Sequence, residues 1–133
     1  MDNFNRLTGL LFAKLFEEFP VPIRLTPDSF LEQLIKELDD EGEFNFPVYF
    51  SSTVKWLNTA GYIWIAEDLC TSSGPVFDLV LSEKGLATLR KIPESLEGSE
   101  SIGERLVAFA KSKTSETVST LISLAITNAV NSS

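Results

Sequence analysis

The stretch from Phe50 to Lys91, FSSTVKWLNTAGYIWIAEDLCTSSGPVFDLVLSEKGLATLRK, constrains the fold more than any other part of the chain. Ser51 and Ser52 offer hydroxyls that can satisfy the unpaired amides of a first helical turn, and Gly61 can end that helix because glycine accepts the left-handed C′ conformation. Two runs rich in β-branched and aromatic residues follow, YIWIAE and VFDLVL, separated by the turn-forming DLCTSSGP. They read as a hairpin with a long tip. Ser82 is then placed to cap another helix. Helix, hairpin and helix in this order define an α+β chain.

TVKWLNTAGYI resembles the recognition helix of a winged helix-turn-helix domain running into its first wing strand, and LVLSEKGLATLRKIP is similar to the junction between the second wing strand and the next helix. The resemblance spans about residues 26–93, at ordinary connection lengths. It implies a winged-helix core of three helices and a β-hairpin wing, the fold of many bacterial transcription regulators. One fold hosts many functions, so the architecture does not by itself assign an activity.

Outside that core, residues 3–19 carry apolar side chains at Phe4, Leu7, Leu11 and Leu15, and again at Phe12, Phe16 and Phe19. The stripe is too broad for one contact, so the helix is either sandwiched within the domain or packs on the core with one side and on a second subunit with the other. Pro20 and Pro22 stop the helix and give an extended connection. Thr26 before Pro27 starts a further helix, with Phe30, Leu31, Leu34, Ile35 and Leu38 on its buried face. FNFPVYF alternates Phe44, Phe46, Val48 and Phe50 inward and reads as a short strand completing the sheet of the wing, with Pro47 holding it to an edge. Leu86, Leu89 and Ile92 form the inner stripe of the helix that Ser82 opens, which Pro93 closes. Ser101 and Glu104 have the spacing of a capping box and open a C-terminal helical segment over about 101–130. Its early stripe (Ile102, Leu106, Phe109 and Ala110) and late stripe (Val118, Leu121, Ile122, Ala125 and Ala129) are displaced around the helix, so it either breaks near Lys111–Ser115 or meets two partners. The two terminal helices together are the natural material for a homodimer.

Charge restricts the partners. Eleven bases against nineteen acids leave a net of −8, a sign that phosphate backbones repel. Between Asp28 and Glu43 stand seven acids (Asp28, Glu32, Glu37, Asp39, Asp40, Glu41 and Glu43) and one base, Lys36. Asp39, Glu41 and Glu43 lack the spacing of a calcium loop, so the run reads as a solvated surface and no metal is expected. There is no histidine and one cysteine, Cys70. The usual general base is therefore missing, no zinc set can assemble, and no glycine loop matches a nucleotide fingerprint. No catalytic residue and no cofactor is expected. A lone cysteine and the absence of a signal peptide suggest a cytoplasmic protein. The uncharged run from Thr117 to Ser133 is interrupted by Ser, Thr and Asn, and its apolar part falls short of the ~20 residues a membrane span needs.

Two functional classes follow. In the first, the fold serves as a non-catalytic protein-interaction or adaptor module with an acidic surface. Tyr62, Trp64, Val76 and Val80 on the outer side of the hairpin are the candidate patch, because aromatic side chains supply large contact area at modest entropy cost. In the second, a dimeric DNA-binding regulator uses the helix 52–60 in the major groove and the wing 62–81, with its 68–75 tip near the minor groove. Asn58 would read adenine, Ser51, Ser52 and Thr53 would hold a phosphate at the helix start, and Lys55 and Thr59 would line the same face. Across residues 51–81, however, Lys55 stands alone against Glu67, Asp68 and Asp78. Lys84, Arg90 and Lys91 could add charge from the neighbouring helix.

Overall fold

The computed structural model describes residues 2–27, 46–72, 74–93, 98–112 and 118–131. In chain order they form α1 (Asp2–Glu18), β1 (Ile23–Leu25), α2 (Phe46–Ala60), β2 (Ile63–Thr71), β3 (Gly74–Leu81), α3 (Glu83–Arg90), α4 (Ile102–Ser112) and α5 (Val118–Asn131). The strands make one antiparallel sheet in the order β1-β3-β2. The class is α+β, as the alternation of helical and strand patterns implies.

α1 lies in the middle of the fold. Leu7, Leu10, Leu11, Phe12, Ala13 and Leu15 are all 4% exposed or less, and the helix packs on α4, α5, β3 and α2. A helix apolar over that much of its circumference needs cover on several sides. Here cover comes from within the chain, the sandwiched arrangement of the two that the stripe allows. The Phe12 ring lies 6.0 Å from that of Tyr62, and Phe50 stands at the same distance from Phe77, which joins α1 and α2 to the inner side of the hairpin.

Over its described residues, 46–50, the strand expected at Phe44–Phe50 is not formed. Residues 46–50 are instead the first turns of α2. Pro47 sits where a missing amide costs nothing, and the spacing of Phe50, Val54 and Leu57, all fully buried, is helical. Period-two alternation over four apolar residues was too short to separate strand from helix. The third strand is β1, in the segment after Pro22 that reads as a connection; Ile23, Arg24 and Leu25 pair with Leu79, Asp78 and Phe77 of β3. The helix expected from Thr26, the acidic run and the carboxylates Asp39, Glu41 and Glu43 fall on residues 28–45, outside the described residues.

The C-terminal segment divides into α4 and α5; of the two stripes, Ala110 is half-buried, the side chains of Val118 and Ala129 lie outside those described, and the other members are buried. Ile102, Leu106, Leu121, Ile122 and Ala125 are at most 1% exposed. The capping box at the start of α4 is complete: the Glu104 amide donates to Ser101 Oγ and the Ser101 amide donates to Glu104 Oε1, each at 3.1 Å. α3 ends at Arg90, before the last residue of the expected stripe, so Ile92 lies beyond the helix and is 54% exposed.

Candidate functional site

The junction between α2, the hairpin and α3 sets the geometry of every surface that could carry function. Gly61 has φ +92°; its amide donates to Asn58 O at 3.1 Å and that of Tyr62 to Leu57 O at 3.0 Å. These two bonds close the last turn of α2. Ser82 locks the other side. Its amide donates to Tyr62 O at 3.1 Å, its hydroxyl donates to Gly61 O, and it accepts the Gly85 amide at 3.0 Å as the cap of α3. Lys84 Nζ donates to Ala60 O at 2.9 Å and lies 4.6 Å from the centre of the Tyr62 ring. That ammonium therefore compensates the partial negative charge at the end of α2.

α2 buries Phe50, Thr53, Val54 and Leu57 and turns Val48, Ser52, Lys55, Trp56, Asn58 and Thr59 outward. The outward set agrees with the helical periodicity, but the roles expected of some members change. Because α2 begins at Phe46, residues Ser51, Ser52 and Thr53 sit in its second turn rather than at its N-terminus. They do not form a phosphate-binding helix start, and Thr53 is only 4% exposed. Asn58 Oδ1 accepts the Ile65 amide of β2 at 3.2 Å. That bond takes one of the two lone pairs of Oδ1 and fixes the side chain against β2, so a bidentate contact to adenine would have to be made from that fixed orientation. Trp56 is 47% exposed and meets the edge of Phe4, with ring centres 5.5 Å apart and planes at 87°. Lys55 and Thr59 remain exposed as expected.

The sheet has one covered side and one open side. Ile63, Phe77, Leu79 and Leu81 are at most 1% exposed on the inner side. On the outer side Trp64 pairs with Val80 and Leu69 with Val76. Trp64 is 57% exposed and Leu69 37%, while Val76 and Val80 are half-buried. Tyr62 does not belong to this patch. It precedes β2, is 2% exposed, and donates its hydroxyl to Ile126 O at 3.4 Å; burial holds that hydroxyl above its ordinary pKa. A register shift between Ile65 and Glu67 marks a bulge at Ala66, which moves Glu67 onto the outer side and Asp68 onto the side of Phe77.

An ion cluster occupies the centre of the outer side. Arg24 donates to Asp78 through Nε at 2.9 Å and through Nη2 at 3.3 Å, and its Nη2 stands 3.9 Å from Glu67. The hydrogen bond from Arg24 holds the Asp78 carboxyl below its ordinary value, and the same bond raises the guanidinium of Arg24. Sequence reasoning missed this cluster. Its only signal is the register, because Arg24, Asp78 and Glu67 come together through pairing that a three-residue strand and a bulge determine.

Among the described residues no three His, Cys, Asp or Glu side chains gather into a metal-holding group, and no helix is long and apolar enough to cross a membrane. An open groove of about 450 Å³ lies between the end of α1 and β1, lined by Lys14, Glu17, Glu18, Pro22, Ile23, Arg24 and Leu25. Its charged rim is mixed in sign. No protein-family model, curated protein or solved structure matches the chain.

Proposed function

We propose that this chain is a winged-helix domain that works as a non-catalytic protein-interaction module, with the outer side of its sheet as the contact surface. The fold reading rests on α2 running through the Gly61 turn into the hairpin, on Ser82 leading directly into α3, and on a short third strand completing the sheet. The functional reading rests on one observation above all. Trp64 is 57% exposed beside Val80 on the open side of a sheet whose other side buries Ile63, Phe77, Leu79 and Leu81. An exposed tryptophan flanked by aliphatic side chains is the kind of anchor that dominates protein interfaces.

The alternative reading, a DNA-binding regulator, has the wing and the outward helix in its favour. Against it, the outward side of α2 carries a single cation, Lys55. Asn58 is held by β2, and Lys84 by the end of α2. The terminal helices also offer less to a second copy than their sequence implies, because the stripes of α1, α4 and the described part of α5 are buried against one another.

Affinity capture from cell extract with parent, Trp64→Ala and Lys55→Ala proteins separates the readings. The interaction module loses its captured proteins on Trp64→Ala and keeps them on Lys55→Ala. The opposite pattern, or capture insensitive to both, rules out the outer side of the sheet as the contact surface.

A further inference from the structure

We infer that the free edge of β2 beyond its bulge binds an extended, basic segment of a partner protein by strand addition, an inference that deepens the reading of the chain as a protein-interaction module. Among the described residues β2 is an edge strand, since the sheet order is β1-β3-β2. Up to Ile65 that edge is closed by α2, whose Asn58 takes the Ile65 amide. After the bulge the strand leaves the helix, and Ala66, Glu67, Asp68 and Leu69 are all exposed. Backbone groups along an edge of this kind are ready to pair with another chain.

The side chains select the occupant. Glu67 and Leu69 point to the outer side of the sheet and Asp68 to the opposite side, as their pairing with Asp78, Val76 and Phe77 requires. Arg24 is committed to Asp78 by two hydrogen bonds and reaches Glu67 only at 3.9 Å, so the edge retains an excess of negative charge. A second copy of β2 pairing antiparallel across a two-fold axis near Glu67 and Asp68 would set carboxylates against carboxylates, which is destabilising. Nucleic acid is repelled by the same sign. An extended peptide with two consecutive basic residues and an apolar neighbour is complementary. One base meets Glu67, the next meets Asp68 on the other side, and the apolar residue lies beside Leu69.

The test uses the full chain and three fluorescein-labelled hexapeptides: Thr-Val-Lys-Lys-Val-Thr, its charge-reversed form Thr-Val-Glu-Glu-Val-Thr, and Thr-Pro-Lys-Lys-Pro-Thr, which keeps the charge but lacks two strand amides. Anisotropy reads binding, and hydrogen exchange reads its location. The basic peptide binds and slows exchange over residues 66–71, the other two bind on the order of tenfold more weakly or not at all, and the Glu67→Lys, Asp68→Lys double variant loses the binding. Equal binding of the proline peptide, or binding without slowed exchange over residues 66–71, overturns strand addition, as does no binding of the basic peptide. Each of these results leaves the wider reading standing unless duplex DNA also binds, so the two failures are distinguishable.

Discussion

At Gly85 a single added carbon would lie 2.0 Å from the carbonyl oxygen of Tyr62 and 3.3 Å from a methyl of Leu81. The nearer obstacle is backbone, and the Ser82 amide already fixes that carbonyl, so neither side of the contact can yield without moving α3. Gly85→Ala should therefore destabilise the fold by about 3 kcal/mol, the upper end of the usual cost of overpacking, because the obstacle is backbone. A denaturant midpoint unchanged from the parent would show that α3 does not sit on the start of β2 as described. Asp78 gives a prediction in pH. Its carboxyl is held below the ordinary value of 3.8 by the hydrogen bond from Arg24. A depressed pKa contributes stability that is complete above the unfolded value and is lost as pH falls through the folded one. Asp78→Asn should thus be less stable than the parent at neutral pH, and the two should converge as pH drops below about 4. Thermal unfolding across that range, at low salt because the pair is partly exposed, would show either convergence or a constant gap, and a constant gap would mean that the Arg24 contact is not the cause.

The elements differ in how openly the sequence encodes them, and capping chemistry explains much of the difference. Gly61, Ser82 and the Ser101–Glu104 box act over three or four residues, so their geometry can be read from spacing alone, and each does what its residue type implies. Ser101→Ala removes the oxygen that accepts the Glu104 amide and should cost about 1 kcal/mol of stability; a circular-dichroism melt showing no loss would mean that α4 does not depend on its cap. The start of α2 was not legible in the same way. Phe46, Val48 and Phe50 satisfy a strand pattern, while the helical partners that claim Phe50, namely Val54 and Leu57, lie on the far side of two serines that look like caps. β1 was equally hidden, because three residues between prolines acquire strand character only by pairing with β3. The outward positions of Ser52, Lys55, Asn58 and Thr59 and the outer position of Trp64 followed from periodicity, whereas Val48, read as inward, is 59% exposed. The loss of Tyr62 from the patch, the bulge at Ala66 and the Arg24 cluster depend on long-range register, which no local pattern carries.

At the scale of the whole molecule, sign and placement of charge weigh most. The chain carries a net of −8. The two elements that a winged-helix DNA reader would present to phosphate, α2 and the hairpin, hold Lys55 against Glu67, Asp68 and Asp78. Arg24 from β1 offsets one of those acids and is itself occupied by it. Sequence-independent attraction to phosphate precedes any reading of bases, and these surfaces provide little of it. The open side of the sheet offers Trp64, Val80, Leu69 and Val76 instead, a surface suited to protein.

The most direct measurement is fluorescence anisotropy of a labelled random-sequence DNA duplex titrated with the protein at low salt and again at higher salt. The interaction-module account predicts no change in anisotropy up to high micromolar protein at either salt concentration. Micromolar binding at low salt that weakens steeply as salt is raised, and that falls further on Lys55→Ala, would contradict it and establish the wing and α2 as a nucleic-acid surface.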